Sequence, residues 1–323
     1  MAGIWAVAEL VDGRPTRLTL ELATMAASLA AEASTDAVVI LVGADTAATA
    51  EIAAHGPAVL SVAPSRTGAP SASSVAVTVA ALIEERAPDV VLVGATPDGR
   101  EIAGSLLGLT DLPVLVAGSA VGISDGTLRV QMPTFGGRLI TSSGFPDGRG
   151  IVIVRPGALT AQKASRSGRV EQVSIVPNRT LAEVSVIERV DEASAGPSID
   201  DARTIVGAGR GVGGPEGLAL IAELAEVLGG AVGATRAAVD SGWIDFGQQI
   251  GQTGKTVKPD LYVACGVSGA IQHKVGVQSA GTIVAINKDP DAPIVEFADL
   301  VVVGDLFEIV PRLSAAIRAA AIE

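Results

Sequence analysis

The strongest constraint on the fold of this chain is its rhythm. Short, wholly apolar runs, "GIWAVAE" (3–9), "DAVVILVG" (36–43) and "DVVLVGAT" (89–96), are separated by longer Ala- and Leu-rich stretches at 17–33 and 73–87. A run with no polar alternation reads as a strand buried on both faces, and the intervening stretches read as helices covering those faces. This βαβ alternation predicts a doubly wound, mostly parallel sheet over about the first 110 residues. From about 113 to 190 the tempo changes. "TLRVQMP", "GRLITSS", "GIVIVRPG" and "AEVSVIERV" follow one another with Gly, Pro and Asp turns, and are expected to add mostly antiparallel strands. The acidic, small-residue stretch "DEASAGPSIDDA" (191–202) has linker composition, and also suits a surface loop. The rhythm then restarts with strands at "RTIVGAG", "LYVACG", "TIVAIN" and "LVVVGD".

The expected architecture is therefore α/β in two domains. Residues 1–195 form a doubly wound sheet with added antiparallel strands, and residues 196–323 form a Rossmann-like parallel sheet. In the second, Pro215 suits a first helical turn and Gly229-Gly230 a helix end. Leu218, Ile221, Ala222, Ala225 and Leu228 would form the apolar face of that helix. A last helix is expected from about Leu306 towards Ala321, with Pro311 near its start.

Composition removes several function classes. Aromatic residues make up 2% of the 323 and the net charge is −12. Stacking platforms for single-stranded nucleic acid are lacking, and an acidic surface repels phosphate backbones and anionic membranes. The single cysteine, Cys265, excludes an internal disulfide and suits a reducing cytoplasm, where we expect the protein to work. Two histidines, His55 and His273, make a His-based zinc site improbable. "MAGIWAVAEL" lacks a basic leader and meets Glu9 early, so it reads as a first strand, and no apolar run is long enough to predict a membrane span.

Two glycine-rich motifs suggest a nucleotide-like ligand. "GQTGKT" (251–256) has the ending of a phosphate loop, but only Gln252 and Thr253 lie between Gly251 and Gly254, and Gln249 stands where the first glycine should be. That spacing cannot wrap a triphosphate. Gly209-Arg210-Gly211-Val212-Gly213-Gly214 matches G-x-G-x-x-G between a strand and a helix, where a pyrophosphate can meet a helix N-terminus. A tight strand–helix turn would satisfy the same glycines. The next strand ends in Thr235 and Arg236 in place of an acid, which leaves open an NADP-dependent oxidoreductase with Arg236 reading the 2′-phosphate. Ser268, Asn287 and Asp305 also close strands, and in an open α/β sheet such residues converge on one crevice. His273 by itself could equally be a surface residue on the first turn of a helix.

"GAGRGVGG", "GATRAAVDSGW", "GQTGKTVKPDLYVACGVSGAIQH" and "TIVAINKDPDAPIVEFADLVVVGDLFEIVPRL" closely resemble the α subunit of electron-transfer flavoprotein, nearly without gaps from about Thr204 to Leu313. The first 190 residues resemble that family's N-terminal domain in outline. The resemblance implies non-covalent FAD in the C-terminal domain. It places Arg210 near the pyrophosphate, and Thr235 and Arg236 beside the isoalloxazine. Ile250, Gly251, Gln252 and Thr253 would wrap its reactive edge, with the Thr253 hydroxyl near N5. Ser268, Gly269, Ala270, Ile271, Gln272 and His273 would bind phosphate and flavin, with His273 at the C2 carbonyl. Asn287, Asp305 and Leu306 would hold the adenosine end. Thr235 stands where many relatives have Ser, which keeps the hydroxyl, and Trp243 has no assigned role.

The resemblance further implies an electron carrier, not an enzyme: one half of a heterodimer with a β subunit. It would take electrons from acyl-CoA dehydrogenase-type flavoenzymes, as in fatty acid β-oxidation, and pass them to a quinone-reducing flavoenzyme. The residues agree with this. A one-electron-reduced flavin that stays unprotonated at N1 carries negative charge at N1 and O2, which a cation or strong donor stabilises in a low-dielectric site, and no Ser/His/Asp or paired-carboxylate constellation is present. A binding module that has lost its flavin is the third class. It gives no reason for the intact Arg, Thr, Ser, His, Asn and Asp set.

Overall fold

The computed structural model describes residues 3–43, 46–63, 70–135, 139–175, 198–200 and 202–320. The chain divides into two compact units, Met1–Arg189 and Val190–Glu323. The expected strand at 182–190, the expected boundary at 195 and most of the linker lie outside the described residues.

The first unit runs β1 (Ile4–Val7), a short hairpin of β2 (Leu10–Val11) and β3 (Arg14–Pro15), α1 (Arg17–Ala33), β4 (Ala37–Val42), α2 (Thr46–Ala53), β5 (Ala58–Val62), α3 (Ala72–Arg86), β6 (Val90–Gly94) and α4 (Pro97–Thr110). Then come β7 (Val114–Gly118), β8 (Ala120–Ser124), β9 (Thr127–Thr134), β10 (Leu139–Ser143), β11 (Gly150–Val154) and β12 (Val170–Val173). The local signals explain the helix ends. Thr16, Ser71 and Thr96 cap α1, α3 and α4 by accepting from the backbone N–H three residues on, and Pro97 fills the first turn of α4, where a missing N–H costs nothing.

Seven parallel strands form one sheet in the order β12-β5-β4-β1-β6-β11-β7. Its two faces make two cores. Leu22 and Leu29 of α1 pack with Ile4, Leu92 and Val152 on one side. Leu82 and Leu106, from α3 and α4, pack with Ile40, Val91 and Ile151 on the other. β8, β9 and β10 form a separate antiparallel sheet, as expected. Gly150–Val154 corrects the expectation of antiparallel addition, since it lies parallel between β6 and β7. All five of its residues are buried, and "GIVIV" carries the unbroken apolar run of a parallel interior strand.

The second unit runs β13 (Thr204–Ala208), α5 (Pro215–Val227), β14 (Ala231–Ala234), α6 (Arg236–Asp240), β15 (Leu261–Cys265), α7 (Ile271–Val277), β16 (Thr282–Asn287), β17 (Leu300–Val303) and α8 (Leu306–Ala320), which contains Pro311. Its sheet is all parallel, in the order β14-β13-β15-β16-β17. The chain moves outward from β13 to β14, then returns past β13 to β15. The strand order reverses between β13 and β15, which is where open α/β sheets form a ligand crevice. The buried face of α5 differs from the expected one: Gly217, Ile221, Leu224 and Ala225 are buried and Ala222 is exposed. The helix packs against both β13 and α8, so its stripe is turned towards Leu224, a rotation that the apolar pattern alone does not reveal.

Leu92 is wholly buried in the first unit, so Leu92→Ala should destabilise it by about 2–5 kcal/mol. Ile140→Ala, at a side chain 63% exposed, should stay within about 0.5 kcal/mol. Urea unfolding of the two variants tests the contrast.

Candidate functional site

Gly209 and Gly266, at the ends of β13 and β15, bring two loops into backbone contact. The Gly209 N–H donates to Cys265 O (2.9 Å) and the Gly211 N–H to Gly266 O (3.0 Å). A Cβ on Gly209 would overlap the Gly266 carbonyl. The first glycines of the G-x-G-x-x-G run thus serve loop-on-loop packing. The last two, Gly213 and Gly214, face open space and lead into α5. Gly214 caps α5 without a side chain, and the N–H groups of Glu216 and Gly217 find no acceptor within the described protein. Arg210 is exposed, with no ion-pair partner among the described residues.

Thr235 occupies the cap position of α6 but makes no capping bond, and its Oγ1 is buried without a partner. Arg236 is exposed and its Nε donates to Asp240 Oδ2 (3.2 Å). The loop that begins at Ile250 is tied to its surroundings through the backbone. The Ile250 N–H donates to Ala234 O (2.8 Å), the Gly251 N–H to Lys255 O (3.0 Å) and the Gln252 N–H to Gln272 O (2.8 Å). Gly251 has φ +141°, a conformation natural to glycine. Lys255 is ion-paired with Asp200, and backbone bonds from Gly251 to Lys255 and from Lys255 to Gln249 close the loop on itself. Gln249, 2% exposed, donates from Nε2 to Thr253 Oγ1 (3.0 Å).

The segment after β15 has a different character. The N–H groups of Ser268, Gly269, Ala270, Ile271 and Gln272 find no acceptor within the described protein. Five successive open donors have the chemistry that suits an electron-rich ligand. His273 follows them. It is 6% exposed, which removes the surface-residue reading. Its Nε2 lies 2.8 Å from the Tyr262 hydroxyl and its Nδ1 3.1 Å from Ile250 O. In this arrangement both ring nitrogens are engaged by the protein, and His273 braces the Ile250 carbonyl instead of presenting an N–H outward. Burial pushes its pKa down to about 4, partly opposed by the bond to Ile250. Burial also pushes the Cys265 thiol up to about 12, so it is inert.

At the far strands, Asn287 Nδ2 donates to Val267 O (2.8 Å) and its Oδ1 accepts from the Asp289 N–H (3.1 Å). Asp305 Oδ1 accepts from the Phe307 N–H (2.9 Å) at the start of α8, and Leu306 is buried next to Gly266. These residues share the carboxyl edge of the sheet with Arg210, Thr235 and the Ile250 loop.

Comparison with known proteins agrees. Residues 4–178 match the model of the electron transfer flavoprotein domain, and residues 198–278 that of the electron transfer flavoprotein FAD-binding domain. The electron transfer flavoprotein subunit alpha of Mycobacterium tuberculosis is 41% identical over 321 residues, covering 99% of each chain. That of Thermoanaerobacterium thermosaccharolyticum is 45% identical over 237 residues, 72% of each, and that of Clostridium acetobutylicum 36% over 327 residues, 98% of this chain and 97% of the relative. The chain belongs to the electron transfer flavoprotein α-subunit family. Its cofactor is FAD.

The residues fit that group. A dinucleotide flavin needs donors for its diphosphate and for the ring carbonyls, and the unit provides open N–H groups at Ser268–Gln272 and at the start of α5. The buried, unpartnered Thr235 Oγ1 is a polar atom in want of a ligand. Sequence reasoning missed Gln249 and Tyr262. The signal for the second was there: it is the only tyrosine, set in the otherwise apolar strand "LYVACG".

The depressed pKa of His273 has a sign that can be checked. The unfolded chain binds a proton at this residue near pH 6.5, and the folded chain does so only near pH 4. Its contribution to stability is full above about 6.5 and is lost as pH falls from there towards 4, by up to about 3 kcal/mol. His55 is also held below its ordinary pKa by burial, so His273→Asn is measured in a His55→Gln background, where it should flatten that part of the stability–pH profile in urea unfolding. Gly209→Ala should destabilise the second unit by about 1–3 kcal/mol and lower FAD occupancy, read by unfolding and by absorbance.

Proposed function

We propose that the second unit holds FAD along the carboxyl edge of β13–β17, and that the chain is an electron carrier without substrate chemistry of its own. The observation that carries this reading is the row of five open N–H groups at Ser268–Gln272 beside the orphaned Thr235 hydroxyl. FAD supplies the redox chemistry, taking up and releasing electrons. The protein binds, orients and tunes it. Arg210 and the start of α5 hold the diphosphate, and Asn287, Asp305 and Leu306 line the adenosine end. Thr235, Arg236 and the Ile250–Thr253 loop surround the isoalloxazine. Arg236 reaches it by leaving Asp240. That pair is an exposed helical i,i+4 contact, worth a few tenths of a kcal/mol.

In this reading the chain works in the cytoplasm with a β subunit, takes electrons from acyl-CoA dehydrogenase-type flavoenzymes and passes them to a quinone-reducing flavoenzyme. Support for a partner comes from the first unit. Phe135, Leu139 and Ile140 are 79%, 57% and 63% exposed on or beside the edge strand β10. Exposed apolar residues on a strand edge that has no partner among the described residues suit an assembly surface. Among the described residues no helix is long and apolar enough to cross a membrane.

Denaturing the purified complex should release one FAD per chain on chromatography, and FMN alone or no flavin overturns the reading. Arg236→Ala should lower the first reduction potential by about 60–130 mV, from a charged contact worth about 1.5–3 kcal/mol at 59 mV per tenfold change. Arg236→Lys keeps the charge but not the planar fork, and should lower it less. Spectroelectrochemical titration measures both. Ile140→Asp should weaken assembly with the β subunit at least about tenfold, a cost of about 1.4 kcal/mol, with FAD content of the assembled fraction unchanged. Unaltered affinity places the interface elsewhere.

A further inference from the structure

Behind the Ile250 loop lies a buried polar chain. Tyr262, in the middle strand β15, is 0% exposed. Its hydroxyl meets His273 Nε2, and His273 Nδ1 meets the Ile250 carbonyl. The partners assign the protons. A carbonyl oxygen only accepts, so Nδ1 carries the hydrogen. The ring is neutral, because burial disfavours the imidazolium. Nε2 therefore holds the lone pair, and the Tyr262 O–H donates to it. The neighbouring strand is shaped for this hydroxyl, since any Cβ on Gly207 would overlap it. Two further bonds tie the same region to the backbone of α7: the Gln252 N–H donates to Gln272 O and the Val257 N–H to Gly276 O. Among the described residues His273 is the one α7 side chain that hydrogen-bonds the loop.

We propose that Tyr262 is a positioning residue for the flavin. Its hydroxyl fixes His273 as the Nδ1–H tautomer, and that N–H holds the Ile250 carbonyl, setting the end of the loop from which Gly251, Gln252 and Thr253 face the isoalloxazine. The inference rests on the FAD placement proposed above and adds its support from within. Phenylalanine at 262 would keep the packing but leave Nε2 buried without a donor, which costs more than the bond itself contributes. The imidazole then gains by changing tautomer or turning, and the Ile250 carbonyl loses its anchor.

The chain has two histidines, so imidazole ¹⁵N NMR of the holo complex with His55→Gln on this chain and the partner subunit unlabelled reads His273 alone. The expected wild-type spectrum is that of a neutral Nδ1–H ring between pH 5 and 8. Tyr262→Phe should give mixed tautomers, speed amide exchange at Gly251–Thr253 about tenfold or more, and shift both the visible flavin bands and the first reduction potential. His273→Ala should speed the same amides, and the double variant should add little to either. An Nε2–H tautomer, or an ordinary titration, in the wild type overturns the inference without any variant being needed. So does a Tyr262→Phe protein with FAD bound and with loop exchange and potential unchanged. Loss of the flavin reading has a different signature: no FAD in the purified complex, with the NMR pattern and the loop exchange behaving as described.

Discussion

The second unit depends on one contact between two stretches of bare backbone. Where the strand order reverses, between β13 and β15, the Gly209 turn lies directly on Gly266, with hydrogen bonds from Gly209 and Gly211 into the facing loop. A side chain at Gly209 would push the loops apart. With them together, α5 starts at the mouth of the crevice, and Leu306 at the head of α8 closes against Gly266. The polar groups at the ends of five strands are then held on one edge, because each is fixed relative to this junction.

Side chains and backbone divide the labour on that edge. Many of the polar side chains are already committed inside the protein: Asn287 bridges two loops, Asp305 starts α8, Gln249 holds Thr253, and Tyr262 with His273 holds Ile250. The groups left open are mostly backbone N–H donors. Such donors are fixed by secondary structure, carry no titratable charge and need no reorganisation when charge appears nearby. A site whose occupant changes its electron count gains from surroundings of this kind, with the cations Arg210 and Arg236 at the exposed rim.

Much of this was legible in the residues, and the gaps have physical causes. α1 was readable to its ends because a capping Thr16 and an uninterrupted helical run mark them. Gly150–Val154 was misjudged in orientation, since turn-rich flanks suggested a meander while the buried run itself spoke for a parallel interior. Ala222 failed because an alanine-rich helix has several faces of similar apolarity, and its neighbours α8 and β13 choose among them. The strand-end polar residues could be placed on one edge from topology alone. What each one touches could not, and His273 shows why. Its partners, Tyr262 and Ile250, come from a strand and a loop, and only the fold makes them neighbours.

Cys265 ends the middle strand β15 in register with Ala208 of β13, wholly buried, and it is the only thiol in the chain. A reagent for thiols cannot meet it while β15 keeps its place in the sheet. The molecule therefore contains its own clock for opening of the cofactor unit. The rate at which that sulfur becomes modified counts the moments when the sheet comes apart, and a ligand bound on the sheet's edge would slow the count by the factor with which it favours the closed form.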